Sequence, residues 1–588
     1  MHARTPPRRL LLLSLVAAFL GLAGGGAAYV LIKLIALITN LALLHRVGWE
    51  LPSFRHFHPG WTLVPAAVGG GLVVSLMAKW APVIRGHGIP EAMEAVLTKQ
   101  SRIQPRGAIA KPLSAAVAIG TGGPFGAEGP IIVTGGALGS LLGQVLPVSP
   151  SERKILLACG AAAGMAATFG TPLAAVVLAI ELLLFEFSTR AFIPLVVASA
   201  LAGGVHSAIF GSGPLFAVPA HSYAGLDRLG LYAMLGVVAG ALAIVITQGL
   251  FLVEGGFRRL PVGEFWHPLI GALGFALVGL VVPRALGVGY DAINDVLLSK
   301  IAVGALLTLA IAKLLAWWVA LASGTSGGTL APVLLISGSF GSLFGTLVSR
   351  VFPSAHVSPG AFALVAMAAT FGASTRATFA SIVFLFELTR DYEIILPLML
   401  STVIADLVAG AFMRESLMTE KLARRGLRVA GDYHVDVLGT TLVREVMTTD
   451  VETLPVEASV GDARRLLERG GHGAYPITDT EGRCKGMIAK GDLLADGTSD
   501  DVALTTLASE DVVSVGPDDT VLTALQRILE EDIEHLPVLV GEELVGICTR
   551  TDILRARRRQ FDLERAERGW RPRRRSPLTR ASGASEPM

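Results

Sequence analysis

From about residue 10 to residue 413, one long apolar stretch follows another with few charges between them. A chain of 588 residues exceeds one globular domain, and no water-soluble core takes in that many apolar runs. After about residue 420 the pattern becomes that of an ordinary soluble chain, with Asp, Glu and Arg among short apolar runs. Only 16% of residues are charged, against about 25% in soluble domains, and the mean hydropathy is +0.60. The first 425 residues are therefore expected in a lipid bilayer. The net charge of +2 points to no partner class, and nucleic acid is not expected.

Arg4, Arg8 and Arg9 precede an apolar run that passes Gly24–Gly26 and reaches about Leu44, interrupted only by Lys33. That is too long for a signal peptide. It reads as a first membrane helix, strongly tilted, with its start held in the cytoplasm by the arginines. A second run covers roughly Trp61–Trp80. Later apolar segments are irregular, many shorter than the ~20 residues that cross a bilayer, and Gly-Pro or Gly-Gly pairs punctuate them. Such a pattern predicts helices that stop inside the membrane, which is tolerated only against protein or a water-filled cavity. Cys159, Cys484 and Cys548 show neither metal-ligand spacing nor a disulfide framework.

The membrane part repeats internally. Gly126-Ala127-Glu128-Gly129-Pro130 leads to Gly136-Ala137-Leu138-Gly139, and Gly328-Thr329-Leu330-Ala331-Pro332 leads to Gly338-Ser339-Phe340-Gly341. The offset is 332 − 130 = 202, and Phe169-Gly170 returns as Phe371-Gly372 at the same offset, 372 − 170 = 202. An acidic residue follows near the far end of the next helix in each case, Glu181 and Glu387. Two homologous halves are expected, near residues 1–220 and 221–415. Duplicated halves are typical of secondary transporters and related channels, with the substrate site at the repeat interface. Half-helices meeting at one centre favour inverted halves. The fold class expected is thus a multi-pass α-helical membrane protein of two repeated, inverted halves with broken half-helices, followed by a C-terminal α/β pair.

That pair also repeats. A unit from Leu442-Val443-Arg444 to Lys490-Gly491-Asp492 is followed by one ending Arg550-Thr551-Asp552, with 552 − 492 = 60. Each reads β-α-β-β-α, at 442–496 and 504–559, after a linker at 426–441.

Three motifs carry the chemistry: Gly86-His87-Gly88-Ile89-Pro90-Glu91, Gly126-Ala127-Glu128-Gly129-Pro130 and Gly327-Gly328-Thr329-Leu330-Ala331-Pro332. Each sets glycine before a helix start and proline in its first turn, where the missing N–H costs nothing. A helix N-terminus offers free N–H donors and partial positive charge. Aimed at the membrane midplane, such ends bind an anion with no fixed cation to hold it too tightly. A lone carboxylate there, Glu128, is expensive and functional. Ionised, such a carboxylate can occupy an anion position; protonated, it is neutral and can swing away. Glu91 and Glu181 are weaker candidates.

These motifs resemble the GxGIP, GxEGP and GxFxP signatures of the CLC family of chloride channels and chloride/proton antiporters, in the family's order and spacing. The resemblance implies a homodimer in a cell membrane, with one chloride or small-anion pathway per subunit and the termini and C-terminal pair cytoplasmic. It makes Glu128 the gating glutamate. It makes Gly86, His87, Gly88, Ile89, Pro90, Gly126, Gly129, Pro130, Gly328, Thr329, Leu330 and Met418 the anion-site positions. Four positions depart from the family. His87 stands where many members have Ser, so a fluoride- or nitrate-preferring relative stays an alternative. Leu330 replaces an aromatic residue, and Met418 a tyrosine whose hydroxyl reaches the ion. Leu182 replaces the internal proton-handling glutamate of many antiporters. Neighbouring Glu181 points about 100° away on a helix. Leu182 and Met418 favour a channel or weakly coupled carrier over an antiporter.

The soluble units resemble CBS domains, which commonly bind adenosine nucleotides. The matching positions are Thr549 and Asp552 in the second unit and Asp492, with Ala489, in the first. A pair that mainly packs a dimer, each Asp capping a helix, is the other reading. No cofactor is required for transport, no metal is expected, and an adenosine nucleotide is the one candidate ligand. The basic tail, with Arg555, Arg557, Arg558 and Arg559 and then Arg571, Arg573, Arg574 and Arg575, reads as solvated, with contact to anionic lipid as the other reading. Neither an enzyme's nucleophile–base pair nor a phosphate loop is found. A CBS-regulated divalent-cation transporter would need convergent carboxylates. A membrane-anchored nucleotide sensor would be indifferent to Glu128.

Overall fold

The computed structural model describes residues 7–218, 226–427, 441–469, 472–493, 499–506 and 512–556, with Leu438 and Arg558. Most of the expected linker at 426–441, Arg4 and the basic tail at 560–588 lie outside them. The chain forms two compact units, one ending at Tyr433 and one beginning at His434.

The membrane unit is helical throughout. Its first half holds α1 (Pro7–Leu44), α2 (Leu63–Trp80), α3 (Ile89–Thr98), α4 (Pro105–Gly120), α5 (Glu128–Val145), α6 (Pro150–Phe169), α7 (Pro172–Ala179) and α8 (Thr189–Phe210). Its second half holds α9 (Leu226–Arg259), α10 (His267–Val281), α11 (Tyr290–Leu297), α12 (Val303–Ala322), α13 (Leu330–Val351), α14 (Pro359–Thr375), α15 (Thr378–Thr389) and α16 (Ile395–Phe412), with the short α17 (Glu420–Arg424) after it. Among the described residues, seven helices are long and apolar enough to cross a membrane, and four more apolar ones are shorter. On α1, Leu13, Ala17 and Leu20 are buried, while Leu11, Leu15 and Phe19 point outward. Apolar on both faces, the helix suits protein on one side and lipid on the other.

The hand of the repeat follows from two helix caps. Glu387, near the end of α15, accepts from the Leu173 and Ala174 amides at the start of α7, at 3.1 and 2.8 Å. Glu181, just past the end of α7, accepts from the Phe379 and Ala380 amides at the start of α15, at 3.3 and 2.9 Å. Each helix therefore ends where the other begins, so repeat-related helices run antiparallel. Only inverted halves do this.

In the second unit, β1 (Leu454–Pro455), α18 (Val460–Arg469), β2 (Ala474–Thr478), β3 (Cys484–Ala489) and α19 (Lys490–Leu493) form one module around the sheet β1-β2-β3. The other holds α20 (Val521–Glu530), β4 (His535–Val540) and β5 (Glu543–Thr549), then a helical turn over 550–556. On α20, Thr520 caps the start and Val521, Ala524 and Ile528 are buried, one apolar stripe. The strand expected to open the second unit is reduced to one bridge, Val515 to Val538. The opening segments are exchanged. Val443 and Met447 pack in the core of the second module, and Val502 and Leu504 in that of the first. Thr448 and Ile547 pair across both amides at 2.9 Å.

Candidate functional site: three helix starts at one point

The three motifs, far apart in sequence, meet. Gly126 and Gly328 pair as a two-residue antiparallel bridge, with N–H···O distances of 3.2 and 2.9 Å, and Gly86 pairs with Ser326 in parallel. At Gly129 a Cβ would lie 2.1 Å from the His87 carbonyl oxygen and 3.2 Å from the Gly328 Cα. Only glycine lets the three loops come so close. Immediately beyond them start α3, α5 and α13, with Pro90, Pro130 and Pro332 in their first turns. Gly88 sits at φ 101°, turning the chain into α3. Ile89, Pro90, Gly129, Pro130, Thr329 and Leu330 are all buried at this junction.

Glu128, 1% exposed, folds its carboxylate back into the junction. A Cβ at Gly126 would fall 1.7 Å from its Oε2, and one at Gly328 2.8 Å from it. Oε2 has no hydrogen-bond partner in the protein, nor do the buried His87 Nδ1 and Ser326 Oγ. Three unsatisfied polar atoms at one place are unusual in a packed interior. Ser326 Oγ can act as a donor, as can His87 Nδ1 in the tautomer that carries the ring proton there, beside the free amides of the helix starts.

Met418 is fully buried. Its neighbour Leu417 brings main chain against the His87 ring, and α17 packs on α3. Glu91 is accounted for by structure: its Oε2 accepts from the Gly88 amide at 2.7 Å. Glu181 is likewise spent on α15. The chain around it, Ile180–Leu184, is a π-turn, and Leu182 lines a small cavity with Ile89, Ile132, Met165 and Leu178, all apolar.

Four further residues belong to the site. Tyr290, first in α11, donates its hydroxyl to Glu128 Oε1 at 2.8 Å. Ser326 directly precedes the third motif. Lys111 donates to the Ile84 and Gly86 carbonyls, both at 2.7 Å. Lys313 donates to those of Ala285 and Gly287, at 3.1 and 2.7 Å. The lysines stand behind the loops, stabilising carbonyls that would otherwise face the junction. Their spacing, 313 − 111 = 202, is the repeat offset and was a usable signal. Nothing local marks Tyr290 or Ser326.

In the second unit, a cavity of about 370 Å³ is lined by Asp450, His472, Tyr475, His535, Thr549, Asp552 and Arg555 among others. Asp552 is buried and its Oδ2 accepts from the Thr549 amide and hydroxyl, at 3.0 and 2.7 Å. Thr549 is therefore the capping position and Asp552 reaches back to it from three residues on, which corrects the expectation that Asp is the cap. Asp492 makes the equivalent bond to the Ala489 amide at 2.8 Å, but is exposed and does not line this cavity.

A membrane unit of inverted halves, with three helix starts meeting at one buried point between them, has the build of a membrane transport protein. The family model described as voltage gated chloride channel matches residues 69–410, and the CBS domain model matches 443–496 and 504–559. This chain belongs to the voltage gated chloride channel family and carries two CBS domains. A chloride channel protein described as ClcB-like, from Ralstonia nicotianae, is 30% identical over 374 residues, covering 62% of this chain and 86% of that one. An H(+)/Cl(−) exchange transporter ClcA from Salmonella arizonae is 29% identical over 442 residues, covering 72% and 90%. The crystal structure of a slow cyanobacterial Cl−/H+ antiporter aligns with TM-score 0.62 at 25% identity, covering 72% of this chain and 98% of that one.

Proposed function

We propose that this protein moves chloride across a cell membrane through the junction of the three motifs, and that Glu128 is its gate. One observation carries the reading: the Glu128 carboxylate lies against the bridged pair Gly126 and Gly328, close to both, in the place an anion facing the helix starts would take. A carboxylate and a chloride compete for the same donors, so protonation that frees the side chain opens the path. His87, Ser326, the Ile89 amide that follows Gly88 and the amides around Gly129 and Leu330 are the contacts available to the ion. Met418 offers none.

We read the protein as a channel or weakly coupled carrier. The Leu182 cavity is apolar on every side, and dry apolar space gives a proton no relay. Proton exchange is the second reading, favoured by the exchange transporters among its relatives. The deciding measurement is simultaneous chloride and proton flux from liposomes, with a chloride gradient and no proton gradient. Proton movement that merely follows voltage is expected. Uphill proton pumping at a fixed ratio establishes exchange and overturns the weaker coupling. Chloride and proton both at rest while fluoride moves makes His87 a fluoride determinant.

The family resemblance supports a homodimer with cytoplasmic termini. The CBS pair is the regulatory part, binding an adenosine nucleotide at the cavity of Thr549 and Asp552 and not at Asp492.

A further inference from the structure

We propose that Tyr290 is the latch that holds the Glu128 carboxylate closed, an inference that rests on reading Glu128 as the gate. The bond from the Tyr290 hydroxyl to Glu128 Oε1, 2.8 Å long, joins the two halves of the repeat. The halves are unequal at this point. Gly86-His87-Gly88-Ile89 of the first is matched by Gly287-Val288-Gly289-Tyr290 of the second, with 290 − 89 = 201. A near-symmetric site thus has a side-chain donor on one side and an isoleucine on the other.

Tyr290 is built to stay where it is. Its ring meets the edges of Phe169 and Phe216 at centroid distances of 6.3 and 6.4 Å. Farther along α11, buried Asp295 pairs with both Arg55 and Arg284. Asp291 accepts from the Ser53 hydroxyl at 2.6 Å. These bonds tie α11 to the segment between α1 and α2 and to the turn before α11. Opening is therefore a movement of Glu128 away from a fixed phenol. A cavity of about 150 Å³ is lined by Tyr290 with Thr39, Ser53 and Asp291 among mostly apolar neighbours, with room for water.

A donor aimed at a carboxylate favours its ionised form. The charged groups near Glu128 are Lys313 on α12 and, through Lys313, Asp291 on α11. Tyr290→Phe leaves both in place, along with the backbone amides of Glu128 and Ala331 that bear on the carboxylate, and removes only the side-chain hydrogen bond. Such bonds to charged groups are worth about tenfold or more in an equilibrium.

The test is chloride efflux from liposomes between pH 4.5 and 8 for the unmodified protein, Tyr290→Phe, Glu128→Gln and the double variant. Tyr290→Phe is expected to raise flux at pH 7.5 about tenfold and to move the half-maximal pH up by about one unit. In the Glu128→Gln background it is expected to change nothing. If Tyr290→Phe matches the unmodified protein at every pH while Glu128→Gln does not, the latch is wrong and the gate stands. If Tyr290→Phe alters flux equally in both backgrounds, Tyr290 acts on the path or the packing, and the latch is again wrong. If Glu128→Gln retains the flux and pH profile of the unmodified protein, the gate reading fails and the latch falls with it.

Discussion

His87 puts an imidazole where it is 2% exposed with Nδ1 unpartnered. Burying a polar nitrogen without a partner costs about 1–3 kcal/mol, so a partner for it is expected in the filled path. We expect His87→Ala to weaken chloride binding about threefold to tenfold, the worth of one neutral hydrogen bond. His87→Ser should recover most of the loss and change the order of chloride, nitrate and fluoride. Calorimetric titration of each anion into the purified protein checks both. His87 and Glu128 were legible in the sequence because each sits inside a glycine motif with one physical meaning. Tyr290 was not, since its partner lies 162 residues away and a tyrosine in an apolar segment has many uses. Ser326 was hidden for the same reason: a buried serine is usually satisfied by its own helix, and only the fold shows that this one is not.

At the scale of elements, the reciprocal caps on α7 and α15 explain two carboxylates that the sequence left open. Four amides at a helix start lack partners, and a carboxylate on them is favoured by the helix dipole as well. Glu181→Ala and Glu387→Ala are each expected to cost about 1 kcal/mol of stability, read as a lower melting temperature in detergent. Neither should change the ratio of proton to chloride movement. A changed ratio in Glu181→Ala would return that residue to the proton path. The apolar runs placed the first two membrane helices, including the 38-residue α1, and the glycine–proline motifs placed the starts of α3, α5 and α13. Neither could show that α7 passes into a π-turn at Ile180–Leu184, because no residue type encodes one. The third motif's start at Leu330 was legible from its glycines and proline, whatever side chain stands there, since the donors are backbone.

For the whole molecule, the CBS pair offers two distinct tests. Asp552→Ala is expected to weaken adenosine-nucleotide binding at least about tenfold, the usual worth of hydrogen bonds to a charged group, and Asp492→Ala to leave it unchanged. Equal losses in calorimetry of AMP or ATP would refute the one-site reading. The second test is pH. Burial pushes His535 below its ordinary 6.5, so the unfolded chain takes up a proton that the folded one resists. Stability is then complete above about pH 6.5 and falls as pH drops below it. Protection of the CBS pair from hydrogen exchange, taken relative to the unfolded chain's rate at the same pH, should be lower at pH 5.5 than at 7.5, and His535→Gln should reduce the difference. The sequence by itself determined the division into membrane and soluble parts, the duplication and the three helix starts, because hydropathy, repeat offset and glycine–proline punctuation are local properties of the chain. Tertiary structure alone decided which residues share the site. Antiparallel packing of α7 and α15 fixed the inversion, and exchange of the opening segments fixed how the CBS modules interlock. The meeting of α5 and α11 brought a phenol to a carboxylate. Those outcomes depend on contacts between segments one to two hundred residues apart, and such contacts leave no periodic trace in the chain that makes them.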